Sequence, residues 1–265
     1  MWSKCSLWGV SQGEGNLMSQ DCKQIVCMNW GTPYGPNYVN RLYSMIARNI
    51  TGPFRVVCLT DNIEGIRCEV ECFPCPEIKL PFPYSNHGWR KIVTWAPEVI
   101  GLNPGQVLFL DLDLVITGSL DPFFTYEPEE DFVVIHNWTH AHRQIGNTSV
   151  YRFRVGSHPY LLSNIERDQL DCLARHNNEQ TYISHTISRQ KFWPDEWCCS
   201  FKAHCIPKGL MRFFTEPKLP EGVRIVAFTG VPNPPDAIVG HWPAPWYYRF
   251  YKRFKPAKWV DEYWR

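Results

Sequence analysis

Two aspartates one residue apart follow the most apolar segment of the chain. Asp111 and Asp113 come directly after Gln106–Leu110. Because burying an isolated charge is costly, such acids are expected to be paired, metal-bound or at an opening. Ligands of open α/β sheets bind beyond the carboxyl ends of strands. Two carboxylates there supply hard oxygen ligands for Mg²⁺ or Mn²⁺, which often bind substrate phosphates as well. The pair predicts a divalent-metal site for phosphate chemistry; the alternative is two solvated acids that cap a strand.

The same residues fit a second metal-dependent motif. Residues 111–115 read D-L-D-L-V, which matches the D-x-D-x-[TV] nucleophile motif of haloacid-dehalogenase phosphatases. In that alternative Asp111 would be the nucleophile. The motif of that family ends its first strand, however, whereas at least two predicted strands precede Asp111 here.

The segments before the aspartates predict a β-loop-α-β unit. Apolar runs at residues 24–29 and 54–60 are typical of buried strands, and apolar residues recur with a helical period between residues 37 and 49. Gly52-Pro53 separates this helix from the second strand. The unit implies a right-handed crossover and a parallel sheet.

The remaining pattern predicts an α/β first half and an irregular α+β second half on one continuous core. The predicted elements are a helix at residues 89–95, strands at 106–110, 114–117, 131–135 and 223–228, and helices at 168–176 and 179–188. We predict a loose arm over residues 1–24 and a single domain over 25–244. Its nucleotide-binding half would reach about residue 120, and its acceptor half would span 121–244. Residues 245–265 form an aromatic and basic C-terminal segment.

Composition excludes several classes of protein. The chain has 265 residues and a net charge of +1, which argues against binding nucleic acid through bulk charge. No apolar run approaches the ~18 residues of a membrane span. No export signal is visible, so we expect a cytoplasmic protein with reduced thiols. Cys68, Cys72 and Cys75 lack an evident fourth zinc ligand and are interpreted as ordinary half-buried thiols.

The region from Val107 to Phe124 resembles nucleotide-sugar glycosyltransferases of the GT-A fold, in particular the glycogenin-like family 8 group and its bacterial relatives. The shared pattern is an apolar strand, D-x-D, an apolar stretch, a glycine-containing turn and an aromatic pair. The resemblance extends from about Ile25 to Trp246. It implies a Rossmann-like, mostly parallel central sheet flanked by helices. It also implies hexosyl transfer from a nucleotide diphosphate sugar, with retention of anomeric configuration.

The resemblance implies roles for individual residues. Residues 91–95, K-I-V-T-W, are similar to the K-[IL]-x-x-W helix whose lysine reaches the donor, and residues 147–150, N-T-S-V, are similar to an N-[AS]-G-V segment at the sugar site. Glu179-Gln180 stands where the family has D-Q. Mn²⁺ or Mg²⁺ would bind Asp111 and Asp113. The predicted donor contacts are Asn29, Tyr34, Asp61, Lys91, Asp111 and Asn147, and the predicted catalytic residues are Asp113, Lys91, Glu179 and Gln180.

One motif departs from the family. Residues 226–230, V-A-F-T-G, resemble H-F-x-G, but Ala227 replaces the histidine that would be the third metal ligand. We expect His241 to supply that ligand; the alternative is that His241 packs among aromatic rings and water completes the metal shell. The lysine that the family places before P-W is also missing. Lys202 either faces a substrate phosphate or is an exposed, solvated lysine.

The acceptor is left open as a carbohydrate, a lipid-linked group or a protein. Trp246, Phe250 and Phe254 fall at helical spacing and predict a helix between Pro245 and Pro256. That helix either packs across the body of the protein or contacts the inner membrane surface peripherally. Three functions remain: a metal-dependent glycosyltransferase, a phosphatase that uses Asp111, or an inactive nucleotide-sugar binder. Asp195-Glu196 would supply a general base if the transfer were inverting.

Overall fold

The computed structural model describes residues 22–82, 84, 88–140, 142–248 and 251–265. Residues 1–21 of the predicted N-terminal arm lie outside this range. The strands of the described residues are β1 Lys23–Asn29, β2 Phe54–Thr60, β3 Val70–Pro74, β4 Gln106–Leu110, β5 Leu114–Ile116, β6 Phe132–His136, β7 Gly146–Arg154, β8 Lys191–Phe192, β9 Cys198–Ser200 and β10 Ile225–Ala227.

The helices alternate with these strands in the first half and gather in the second. The α-helices of the described residues are α1 Pro36–Asn49, α2 Pro122–Thr125, α3 Tyr160–Arg167, α4 Gln169–Arg175, α5 Glu179–Thr186, α6 Pro234–Val239 and α7 Lys258–Tyr263. Gly88–Trp95 forms a 3₁₀-helix, where the sequence predicts a short helix. A five-residue π-turn, Phe201–Cys205, follows β9.

A mixed seven-stranded sheet, as far as the chain is described, is the centre of the fold. Its order is β3-β2-β1-β4-β7-β6-β8. β1 pairs in parallel with β2 and β4, whereas β7 is antiparallel to both β4 and β6. The predicted α/β class, with a mostly parallel central sheet flanked by helices, is therefore confirmed.

Strand β1 shows why the core has two parts. Ile25 and Cys27 belong to the apolar cluster on the α1 face, and Val26 and Met28 belong to the cluster on the opposite face. Successive side chains of a strand alternate between faces, so a strand covered on both sides must be apolar throughout. The continuous apolar run at residues 24–29 reflects this burial.

A second sheet, of order β5-β10-β9, lies next to the first. β5 is antiparallel to β10, and β9 is parallel to β10. β4 belongs to the large sheet and β5 to the small one. The three residues between them, 111–113, therefore form the connection between the two sheets.

The helix predicted between Pro245 and Pro256 is not continuous. Trp246–Tyr248 forms a single 3₁₀-turn, and Arg249 and Phe250 lie outside the described residues. Instead of ending a helix, Pro256 precedes α7, which places buried Val260 and Trp264 against the body of the protein. Over the described residues, no helix is both long enough and apolar enough to cross a membrane.

Candidate active site

Asp111 and Asp113 are held by backbone hydrogen bonds on both sides of the connection between the sheets. The Asp111 N–H donates to the carbonyl of Ser149 on β7 at 2.9 Å. The Phe228 N–H, just beyond β10, donates to the carbonyl of Asp113 at 3.0 Å. Each aspartate is thereby tied to a different sheet, and both side chains line the same cavity.

This cavity has a volume of about 530 Å³, which is within the usual range of small-molecule sites. It brings together most of the predicted site residues, namely Tyr34, Lys91, Asp111, Asp113, Asn147, Glu179 and Gln180. The other residues around it are Met28, Trp30, Pro33, Gly88, Leu112, Thr148, Ser149, Thr229 and Gly230.

Lys91 neutralises Asp111. Its Nζ lies 2.6 Å from Oδ1 and 2.8 Å from Oδ2 of that carboxylate, and it also donates to the Thr148 carbonyl at 3.2 Å. Burial alone would lower the pKa of Lys91, but the carboxylates of Asp111 and Glu179 outweigh burial and raise it. The lysine is therefore a permanent positive charge on the wall of the cavity.

Asp113 has no such cation. One of its oxygens, Oδ2, accepts a long hydrogen bond of 3.4 Å from the Gly230 N–H, and its carboxylate accepts another from the Tyr34 hydroxyl. Burial, followed by the charge of Asp111, raises the pKa of Asp113 to about 7. Burial and the aspartates also raise the pKa of Tyr34. Asp113 is thus a buried carboxylate whose charge the protein compensates only in part.

Glu179 adds a third carboxylate at the first residue of α5. It is buried, and its Oε1 accepts a hydrogen bond from the Thr148 hydroxyl at 2.9 Å. The Asn178 side chain caps the helix by accepting from the Thr181 N–H at 2.9 Å. A Cβ at Gly88 would lie only 2.7 Å from Glu179 Oε1, so the start of the 3₁₀-helix leaves room for this carboxylate.

The lining of the cavity is unbalanced in charge. Its described side chains include the carboxylates of Asp111, Asp113 and Glu179, and the only ammonium among them is that of Lys91. Two of these carboxylates offer hard oxygen ligands, which Mg²⁺ and Mn²⁺ prefer. The donor set therefore fits one bound cation in chemistry and in charge.

Comparisons with solved structures identify the fold of this chain. Neither a protein-family profile nor a curated protein sequence matches the chain. Among solved structures, the glycosyltransferase GlyE of Streptococcus pneumoniae TIGR4 matches at 14% identity and a TM-score of 0.56, covering 80% of this chain and 56% of the GlyE chain. The galactosyltransferase LgtC, in complex with donor and acceptor sugar analogues, matches at 11% identity and a TM-score of 0.55, over 80% of this chain and 88% of LgtC. The fold of this chain is GT-A.

A third structure extends the comparison to an animal protein. The apo form of mouse xyloside xylosyltransferase 1 matches at 10% identity and a TM-score of 0.51, over 78% of this chain and 98% of that one. At such identities the likeness establishes the shared GT-A fold, as the sequence predicts. The match to GlyE spans just over half of the length of that protein.

Three predicted site residues do not line the cavity of this GT-A fold. Asn29, at the end of β1, is buried, and its Oδ1 has no hydrogen-bond partner. Asp61 accepts a hydrogen bond from the Gly31 N–H at 2.8 Å, so it braces the loop that carries Tyr34. Neither residue is among those that line the cavity.

His241 is also absent from the cavity lining. Its imidazole is 57% exposed, and Nδ1 lies 3.4 Å from Asp236 Oδ1. Across the described ranges, no three His, Cys, Asp or Glu side chains gather into a metal-binding group, and this holds for Cys68, Cys72 and Cys75 as well. The role of His241 as third metal ligand stays a prediction; in this structure its imidazole lies beside Asp236 and does not line the cavity.

Sequence reasoning missed three residues that shape the site. Gly88 gives Glu179 its space, and the Thr148 hydroxyl orients the same carboxylate. Thr229 lines the cavity, and its carbonyl accepts a hydrogen bond from Lys202. Gly88 precedes the K-I-V-T-W segment, and its lack of a side chain could have been noted there. Thr148 and Thr229 lie within the N-T-S-V and V-A-F-T-G segments, but their roles depend on contacts with distant segments, which those patterns do not predict.

Proposed function

We propose that this protein is a metal-dependent glycosyltransferase that moves a hexosyl group from a nucleotide diphosphate sugar. The proposal is carried by one observation: Asp111 and Asp113 join the two sheets of a GT-A fold and face a cavity in which three carboxylates stand against one lysine. A nucleotide diphosphate is also negatively charged, so a divalent cation would be needed to bridge it to these carboxylates.

Asp111 and Asp113 would hold Mn²⁺ or Mg²⁺. The buried carboxylate of Asp113 supports this assignment, since burial and the charge of Asp111 raise its pKa to about 7 and a bound cation would offset both. Such ions commonly use one or two carboxylates, with water and substrate phosphates as the other ligands. When bound, the ion would neutralise the charge of the departing nucleoside diphosphate.

The side chains of the chain itself would position the donor. Lys91 holds the Asp111 carboxylate by both oxygens and directs positive charge into the cavity. The Tyr34 hydroxyl donates a hydrogen bond to the Asp113 carboxylate and so orients it. Asn147, Glu179 and Gln180 also line the cavity and would bind the transferred sugar.

Retention of configuration is the stereochemical part of the proposal. The predicted bases of an inverting transfer, Asp195 and Glu196, are both exposed, Asp195 to 87%. Neither is among the residues that line the cavity. Attack by the acceptor on the face of the leaving group would require no base at that position.

The phosphatase alternative is less well supported. Both oxygens of Asp111, its predicted nucleophile, are engaged by Lys91. The aspartates also follow β4 and not the first strand of the sheet. We further propose a carbohydrate acceptor, because LgtC has this fold and was crystallised with donor and acceptor sugar analogues. The cytoplasmic location and a peripheral membrane contact remain predictions.

The test is a thermal-shift screen of nucleotide sugars with and without Mn²⁺, followed by an assay of donor hydrolysis and transfer. Asp113→Asn should lower metal-dependent turnover by about 100-fold or more, because the metal contributes several kcal/mol to the transition state. Asp195→Asn is the matched control and should keep wild-type turnover. Unchanged turnover in Asp113→Asn would remove the proposal, and donor binding without turnover in the wild type would identify an inactive binder.

A further inference from the structure

Lys202 and Lys252 are half-buried lysines that lie near one another without a carboxylate partner among the described residues. Lys202 Nζ donates a hydrogen bond to the Thr229 carbonyl at 2.7 Å, and Thr229 lines the cavity. Lys252 Nζ lies 5.6 Å from the ring centroids of both Trp242 and Tyr248. In the part of the chain that the structure describes, neither ammonium forms an ion pair.

The topology of the small sheet places Lys202 at the cavity. β9 and β10 are parallel neighbours, so the residues that follow them meet at one edge. The π-turn after β9 carries Lys202, and the residues after β10 are Phe228, Thr229 and Gly230. The Phe201 ring stacks on Phe228 at 4.4 Å, which fixes the turn against this edge.

Aromatic packing brings Lys252 to the same edge. The Phe201 ring also contacts Phe254 at 5.7 Å, and Phe254 contacts Trp242 at 6.0 Å. Lys252 lies two residues before Phe254. Burial lowers the pKa of Lys202, and the charge of Lys252 lowers it further, while Asp113 opposes the shift. The two ammonium groups are therefore near enough for their charges to interact.

Two partly desolvated cations held together by packing are costly unless an anion joins them. We propose that Lys202 and Lys252 form a phosphate-binding site at the Thr229–Gly230 edge of the cavity. Lysine suits this role because its ammonium binds phosphate as a compact point charge with three donors. The inference deepens the proposed function, on which it rests for the identity of the substrate that carries the phosphoryl group.

Charge complementarity also favours this edge. The carboxylates of Asp111, Asp113 and Glu179 repel an anionic ligand in the cavity. Cationic side chains beside the cavity would offset this repulsion. Lys91 supplies positive charge in the cavity lining, and Lys202, with Lys252 near it, supplies it at Thr229. The phosphoryl group could belong to the donor diphosphate or to a phosphorylated acceptor, and the experiment separates these two sources.

The test is calorimetric titration of the full chain with inorganic pyrophosphate in EDTA, so that no metal contributes. We expect the affinity to fall at least tenfold in Lys202→Met and in Lys252→Met. Lys202→Arg should retain most of it because the charge is kept. Lys208→Met, which removes an exposed lysine six residues from Lys202, is the matched control and should bind as the wild type does. Equal affinity in all variants that unfold at the wild-type temperature would overturn the site.

A second titration identifies the source of the phosphate. If a nucleoside diphosphate displaces pyrophosphate and depends on the same two lysines, the site holds the donor. If nucleoside diphosphate binding is unchanged in the variants while pyrophosphate and glucose 1-phosphate binding is lost, the site holds a phosphorylated acceptor. A wild type that binds pyrophosphate through these lysines but binds no nucleotide sugar would support the site and contradict the proposed function.

Discussion

Asp111 and Asp113 lie one residue apart, but their surroundings give them different properties. The carboxylate of Asp111 is compensated by Lys91, which contacts both of its oxygens. Asp113 is more buried and receives only hydrogen bonds from Tyr34 and Gly230. The spacing of the motif predicts that both acids serve one site. It predicts neither that burial raises the pKa of both acids nor that the ammonium of Lys91, twenty residues away, pairs with Asp111.

The raised pKa of Asp113 makes stability depend on pH. Its pKa is about 7 in the folded protein, whereas an unfolded aspartate titrates near about 4. The folded state therefore binds more protons in this window, and the free energy of unfolding falls as the pH rises from about 4 to 7. Asp113→Asn should reduce that slope, by up to about 1.4 kcal/mol per pH unit. Urea denaturation in EDTA measures it; Asp195→Asn should keep the wild-type slope, and an unchanged slope in Asp113→Asn would refute the assignment.

Lys91 is predicted to be needed for stability as well as for the donor. Lys91→Met leaves the Asp111 carboxylate without its cation, and breaking a buried pair in this way costs about 3 kcal/mol. Adding Asp111→Asn removes the orphaned charge, so the double variant should recover part of the loss. Urea denaturation of the wild type, both single variants and the double variant forms the cycle. A double variant as unstable as the sum of the single variants would contradict an interaction between the two groups.

At the scale of elements, strong apolar patterns could be predicted and long-range packing could not. The predicted boundaries of β2 and β4 agree with the structure, because both strands are buried runs bounded by glycine, proline or acid. β7 and α3 were not predicted as elements. Most of β7 is buried despite its polar residues, since Thr148, Ser149 and Arg152 find partners on other elements. The site thus contains a strand whose sequence pattern is not that of a strand.

Gly240 connects α6 to the segment that carries Lys252. It ends the helix with φ +69°, and a Cβ there would lie 2.7 Å from the Phe254 carbonyl oxygen. Gly222 has a similar φ of +79° with nothing near its Cβ position, so Gly222→Ala measures backbone strain alone, about 1 kcal/mol. Gly240→Ala should destabilise the protein further, by about another 1–3 kcal/mol, and weaken pyrophosphate binding. Thermal unfolding and calorimetry test both effects; equal losses in the two variants would show that the contact is unimportant.

At the scale of the whole molecule, the C-terminal segment has two parts with different environments. α7 packs on the α1 side, where Trp264 is 4% exposed and the Arg41 guanidinium stacks on its ring at 4.3 Å. Arg48 donates to the Tyr263 carbonyl at 2.7 Å. Trp246, by contrast, is 80% exposed. Composition alone predicted one aromatic and basic segment, because residue type does not reveal which rings the rest of the chain covers.

This division predicts opposite outcomes for two tryptophan variants. Trp264→Ala opens a cavity between α7 and α1 and should lower the free energy of unfolding by about 3–5 kcal/mol. Trp246→Ala removes an exposed ring and should change it by less than about 0.5 kcal/mol. Urea denaturation compares them, and co-sedimentation with anionic liposomes shows whether the exposed ring contacts a membrane. If the exposed ring contacts a membrane, Trp246→Ala should reduce co-sedimentation without loss of stability. In urea denaturation, similar destabilisation by both variants would contradict the view that the docking of α7 stabilises this segment.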